Sequence, residues 1–188
     1  MGIGVGTRDD DYAASGVPFE ERGRRADRAL EVIHAAWNGE LVEGARKPVT
    51  PTPVHGTVPI LVGGMSDAAI RRTVRWGIGW TAGGAGPDAV GPFIEKVRDA
   101  WREAGREGDP RIVALTYFVL DGHDEEAERN LRDYYGDVGV QISKHIPKDP
   151  DAARRAAAAF EGLGVDELLF DPAVNDPKQV ELLAEAVL

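Results

Sequence analysis

The strongest constraint in this sequence is an ordering: short apolar runs that read as buried strands are each followed by a turn and then by an amphipathic helical pattern. Pro59 to Val62 is such a run, and Gly63-Gly64-Met65-Ser66-Asp67 is its turn. The helix that follows carries Ile70, Val74 and Trp76 among its apolar positions, with Ser66 placed as its N-cap. The pattern repeats at once, with Gly79 to Ala82 as a very short strand, Gly83 to Gly86 as a turn, and Pro87 as the first residue of a helix. Val90, Phe93, Ile94, Val97 and Trp101 form its stripe, and Gly105 closes it. Ile112 to Leu120 is almost continuously apolar and rich in β-branched and aromatic residues, which suits a strand covered on both faces in a parallel sheet.

Further along, a helix is predicted from about Asp124 to Tyr135, irregular chain over 136–148, and an alanine-rich helix opened by Asp149-Pro150. A strand over Glu167 to Phe170 and a helix opened by Asp176-Pro177, with Val180, Leu183 and Val187 inside, complete the series. With Ile3 to Gly6 at the start and a helix between Phe19 and Trp37, five strands are predicted, each followed by helix. Such alternation means right-handed βα units and a parallel α/β sheet, which an open doubly wound sheet and a partial barrel both satisfy. A complete (β/α)8 barrel takes about 250 residues, against 188 here. No composition shift or linker divides the chain, so residues 1–188 read as one domain.

Composition excludes several chemistries. The absence of cysteine removes disulfides, thiolate metal sites and cysteine nucleophiles, and a cytoplasmic location is expected. No stretch approaches the roughly 18 apolar residues of a spanning helix, so no membrane partner is expected. A net charge of −10 repels phosphate backbones, which argues against nucleic acid and requires any anionic cofactor to be held by local backbone amides.

The Gly63-Gly64-Met65-Ser66 turn is the best candidate for such a cradle, because glycines admit an anion to free N–H groups at a helix N-terminus. The same residues also build an ordinary short βα loop, and both readings stand on the residues alone. Thr7, Arg8 and Asp9 follow the first strand directly and would sit on the strand-end rim where barrel enzymes gather their functional groups. Asp9, Asp10 and Asp11 read as a solvated acidic loop in preference to a cation site, since consecutive carboxylates point different ways. His34, His55, His123 and His145 show no metal-ligand spacing, so no metal is expected, and His34 is placed on a helix surface. No Gly-x-Ser-x-Gly elbow occurs, which argues against an ordinary hydrolase. Trp37, Trp76, Trp80 and Trp101 are expected to pack helices onto the sheet, with Trp80 entering a rim strand.

Three segments together resemble the luciferase-like oxidoreductase family: Gly4-Val5-Gly6-Thr7-Arg8-Asp9-Asp10-Asp11-Tyr12 through Gly16, Ile60-Leu61-Val62-Gly63-Gly64-Met65-Ser66, and Gly77-Ile78-Gly79-Trp80-Thr81-Ala82-Gly83-Gly84. Their order and spacing carry the likeness, with the helix Gly23 to Trp37 between the first two and Gly164-Val165-Asp166-Glu167-Leu168 near the end. The resemblance implies a partial (β/α)8 TIM barrel of about five βα units, with about the first three units of the family's barrel absent. It implies a flavin- or deazaflavin-dependent oxidoreductase or monooxygenase that takes FMN or the deazaflavin coenzyme F-420 and acts on a small molecule by hydride transfer. It also implies that Val62, Gly63, Gly64 and Met65, with Thr81, Ala82 and Gly83, line the cofactor's phosphate and ribityl tail. Arg8 and Asp9 are the expected catalytic residues at the first rim. Alternative readings are a catalytically weak flavin-binding or interaction protein built from the same half-barrel, and a phosphosugar-type isomerase, for which no acid-base pair is evident. A homodimer is expected, because relatives commonly dimerise and unpaired sheet edges invite association.

Overall fold

The computed structural model describes residues 1–188. Five strands follow chain order in one sheet, and the paired strands at both ends run parallel. This is the α/β architecture expected of consecutive βα units. Backbone contacts divide the chain into two compact units, Met1–Trp80 and Thr81–Leu188.

In the first unit, strand β1 (Gly2–Ile3) leads to α1 (Asp9–Ala14), a short 3-10 turn at Phe19–Glu21 and α2 (Arg22–Trp37). Strand β2 (Leu61–Gly63), helix α3 (Asp67–Trp76) and strand β3 (Gly79–Thr81) follow, β3 reaching the boundary. β1 pairs with β2 in the register Gly2 to Leu61 and Ile3 to Val62, and the Ile78 N–H donates to Ile60 O at 2.8 Å. Leu30, Ile60, Val62 and Ala69 form the buried cluster beneath these strands, with Ile3, Trp37 and Trp76 against it. Arg72, only 7% exposed, ties α3 to α2 through a fork of bonds to Asp27 at 2.6 and 3.2 Å and a third to Gly23 O at 2.9 Å. A bidentate guanidinium–carboxylate pair fixes direction as well as distance, so the two helices are locked in register.

In the second unit, α4 (Pro87–Glu103) precedes β4 (Arg111–Phe118), and α5 (Asp124–Tyr135), α6 (Asp137–His145) and α7 (Pro150–Gly162) separate β4 from β5 (Glu167–Pro172). Helix α8 (Lys178–Val187) closes the series. β4 and β5 pair from Val113 with Glu167 to Phe118 with Pro172. Alternation along the pair gives its faces different fates. Ala114, Thr116 and Phe118 are buried, with Phe118 edge-on to Phe170, whereas Leu115 and Tyr117 are half-buried and Leu169 is 45% exposed.

Several expectations are corrected. The first strand is Gly2–Ile3 and not Ile3 to Gly6; pairing with β2 ends at Ile3, and Gly6 takes φ +70° further on. The acidic run Asp9-Asp10-Asp11 is the first turn of α1 and not a loop, since three carboxylates suit the positive end of a helix dipole. Residues 137–145, within the stretch predicted irregular, form α6. Gly136 at φ +62° separates it from α5, and the two helices touch backbone to backbone: a methyl at Gly139 would lie 1.9 Å from Leu131 O. Val180 is 61% exposed, and beside Ala186 the residue α8 buries is its neighbour Gln179. Its amide oxygen accepts from Leu120 N at 2.7 Å while its amide nitrogen donates to Leu120 O at 3.0 Å. His34 is half-buried and not simply a helix-surface residue: its ring lies 5.0 Å from Trp37 and 4.5 Å from Trp76, and its Nε2 is enclosed without a partner.

Two predictions follow from these buried polar groups. Gln179→Leu keeps the volume but orphans both backbone groups of Leu120, and should cost about 2–4 kcal/mol in a urea titration. Loss of water around His34 lowers its pKa below the ordinary 6.5. The folded protein therefore takes up this proton less readily than the unfolded chain, and the stabilising contribution is complete above about pH 6.5 and is lost as pH falls through the folded pKa. Denaturation midpoints measured at about pH 7.5 and about pH 5 should draw closer together in His34→Leu than in the wild type.

Candidate functional site

The turn after β2 is built by three devices. Val62, 1% exposed, anchors the strand end in the core, and Gly64 takes φ +109°, a conformation that a side chain would strain. Ser66 then caps α3, its hydroxyl accepting from Ala69 N at 3.2 Å. The third device is Trp80, fully buried in β3, whose indole N–H donates to Gly64 O at 2.9 Å. In a trans peptide the C=O and the following N–H point in opposite directions. Holding the Gly64 carbonyl against Trp80 therefore turns the Met65 N–H away from the core, next to the uncommitted first-turn amides of α3. Gly64, Met65 and Ser66 are exposed. The result is a set of backbone donors at the positive end of a helix, chemically suited to an anion.

The rim after β1 is organised differently. Arg8 precedes α1 and pairs with Asp10 at 2.6 Å and Asp11 at 3.7 Å, and this guanidinium holds the Asp10 carboxyl below its ordinary range. Arg8 is thus engaged by its own helix, while Asp9 is exposed in the first turn. The Tyr12 hydroxyl donates to Val5 O. A cavity of about 500 Å³ beside these residues is lined by Gly4, Val5, Tyr12, Arg22 and Arg25 among others.

In the second unit, Thr81 is half-buried, Ala82 is buried, and Gly83 is exposed. The Ala82 N–H donates to Val113 O at 2.9 Å, so that amide belongs to the sheet. Gly84 rests on the ring of Tyr117, where a methyl would come within 2.7 Å of a ring carbon. Tyr117 is the next-to-last residue of β4, and its hydroxyl meets that of Tyr135, the last residue of α5, at 2.7 Å. Burial first, then the Tyr135 hydroxyl and the Asp171 carboxylate, hold the Tyr117 phenol well above its ordinary range. Sequence reading missed this pair because Tyr135 lies 18 residues away and meets Tyr117 only once α5 has folded back.

Residues 1–185 match the luciferase-like monooxygenase family, and the chain belongs to that family. An uncharacterized protein of Mycobacterium tuberculosis is 34% identical over 162 residues, which is 80% of this chain and 55% of that protein. The chain thus spans about half the length of this curated relative. Among solved structures, an F420-dependent secondary alcohol dehydrogenase in complex with an F420-acetone adduct superposes with a TM-score of 0.75 at 15% identity, over 100% of this chain and 68% of its own. A riboflavin lyase with modified FMN and the substrate riboflavin gives a TM-score of 0.64 at 18% identity, over 93% of this chain and 59% of its own. These likenesses establish the fold.

Trp80→Phe should report on the turn directly. It keeps the buried ring but deprives Gly64 O of its donor, at a cost of about 1–2 kcal/mol. In amide NMR spectra, Met65 and Ser66 should shift far more than residues of α4, and unmoved resonances would show that the indole does not hold the turn.

Proposed function

We propose that this chain carries the phosphate-binding part of a flavin- or deazaflavin-dependent oxidoreductase of the luciferase-like family. The observation that supports this reading most strongly is the turn at Gly63-Gly64-Met65. Its backbone conformation needs glycine at 64, its carbonyl is tied back to Trp80, and its exposed amides adjoin the capped N-terminus of α3. Those donors fit the phosphate end of FMN or of the deazaflavin coenzyme, the group types named for two proteins of the same fold. A net charge of −10 makes local donors necessary, because the long-range field opposes an anionic ligand.

When bound, such a cofactor supplies the hydride chemistry. The chain's own part is to hold the phosphate on backbone dipoles and so fix where the ring system lies. Arg8, already paired with Asp10, would contribute at the first rim by ordering α1, and Asp9 is the carboxylate there without an ion pair.

Comparing FMN with riboflavin tests the assignment in the unaltered protein, since the two differ only by the phosphate. Flavin fluorescence titrations should give FMN at least about tenfold tighter binding, the equivalent of one or two charge-assisted hydrogen bonds. Gly64→Val should abolish that preference, and the strain of a side chain at this backbone angle should lower Tm as well. Equal affinities for FMN and riboflavin would remove the phosphate from this turn.

A further inference from the structure

The Tyr117–Tyr135 pair contains a hydrogen-bond imbalance. Two phenols carry two O–H protons, and their mutual bond at 2.7 Å uses one of them. The second proton has no acceptor in the protein, although both residues are half-buried. A phenol O–H held in such a place is completed by water or by a ligand oxygen, since leaving it unpaired costs free energy.

Three further observations describe the surroundings. Tyr117 stands at the C-terminal end of β4, on the more open face of the β4–β5 pair, where Leu115 is half-buried and Leu169 is 45% exposed. Gly84 lies close against the Tyr117 ring, so the loop after Ala82 borders the phenol without adding a side chain at that point. Asp171 is register partner to Tyr117 on the same face. Its carboxylate favours the protonated phenol and repels anions. An apolar surface that ends in one free donor beside a carboxylate suits a neutral molecule bearing an oxygen acceptor.

We propose that Tyr117 and Tyr135 form a binding subsite for the carbonyl or hydroxyl oxygen of a small neutral organic molecule, the free phenol proton of the pair donating to that oxygen. Tyr135 positions Tyr117, or the reverse, according to which phenol donates within the pair. The subsite rests on the oxidoreductase reading only for what the bound molecule would undergo and not for its binding.

The test uses the whole chain with tyrosine labelled at the phenol carbon, titrated with cyclohexanone and with methylenecyclohexane, which share a shape and differ in the acceptor oxygen. Cyclohexanone should produce saturable shifts of the Tyr117 and Tyr135 phenol resonances, and methylenecyclohexane should bind at least about tenfold more weakly, the loss of one hydrogen bond. Of Tyr135→Phe and Tyr117→Phe, the one that removes the donating phenol should bring cyclohexanone down to the methylenecyclohexane affinity, the other should weaken it less, and both should leave FMN affinity unchanged. Equal binding of the two probes would reduce the subsite to an apolar groove, and no saturable shift with cyclohexanone would leave the pair bonded to water only. Either result overturns the proposal. Failure to bind FMN alongside normal cyclohexanone binding would instead count against the flavin reading alone.

Discussion

Strand ends and helix ends leave backbone N–H and C=O groups without regular partners, and in this protein side chains from neighbouring βα units meet them. Trp80 takes the Gly64 carbonyl, Gln179 takes both polar groups of Leu120, and Asp166 accepts from Ile112 N at 2.7 Å where β4 begins. Arg98 performs the same service after α7, donating to Leu163 O and Gly164 O at 3.1 and 3.0 Å. Each of these contacts joins a residue of one βα unit to the backbone of another. Strands as short as Leu61–Gly63 and Gly79–Thr81 offer few ladder bonds of their own, so their placement depends on such side chains.

That dependence explains what could and could not be read from the sequence. The order of strands and helices was legible because each buried strand had a run of apolar residues and each following helix a stripe at helical spacing. Ser66 was legible as a cap, and Gly64 as a special backbone position, because both signals are local. Helix α6 was not, since what makes it is Gly139 against the backbone of Leu131, a contact that no periodicity announces. Gln179 was read past for a similar reason: a polar residue inside a helix is ordinarily exposed, and only Leu120 explains its burial. His34 looked like a surface residue until Trp37 and Trp76 closed around it.

For the candidate site the division is sharper. Gly64 and Ser66 have local reasons for their geometry, while the bond from Trp80 to Gly64 O comes from the next strand. Arg8 is drawn into the first turn of α1 by the acidic residues that follow it, so its adjacency to Asp10 and Asp11 in sequence became an ion pair in space. Ala82, expected from the pattern at the end of a short strand and from the resemblance along the cofactor, gives its amide to Val113 and so is held by the sheet.

The close approach at Gly139 has a mechanical consequence. Two helices normally meet through side chains, which yield by changing rotamer, whereas at Gly139 helix α6 meets the backbone of α5 directly, with only Gly136 joining the two in sequence. At that one point there is no side-chain layer to absorb a displacement, so a change there is passed directly from one helix to the other. Tyr135 is the last residue before that joint. Even an added methyl at the buried position 139 would push the two helices apart, and the shift would be felt at the phenol of Tyr135, four residues beyond Leu131 on α5.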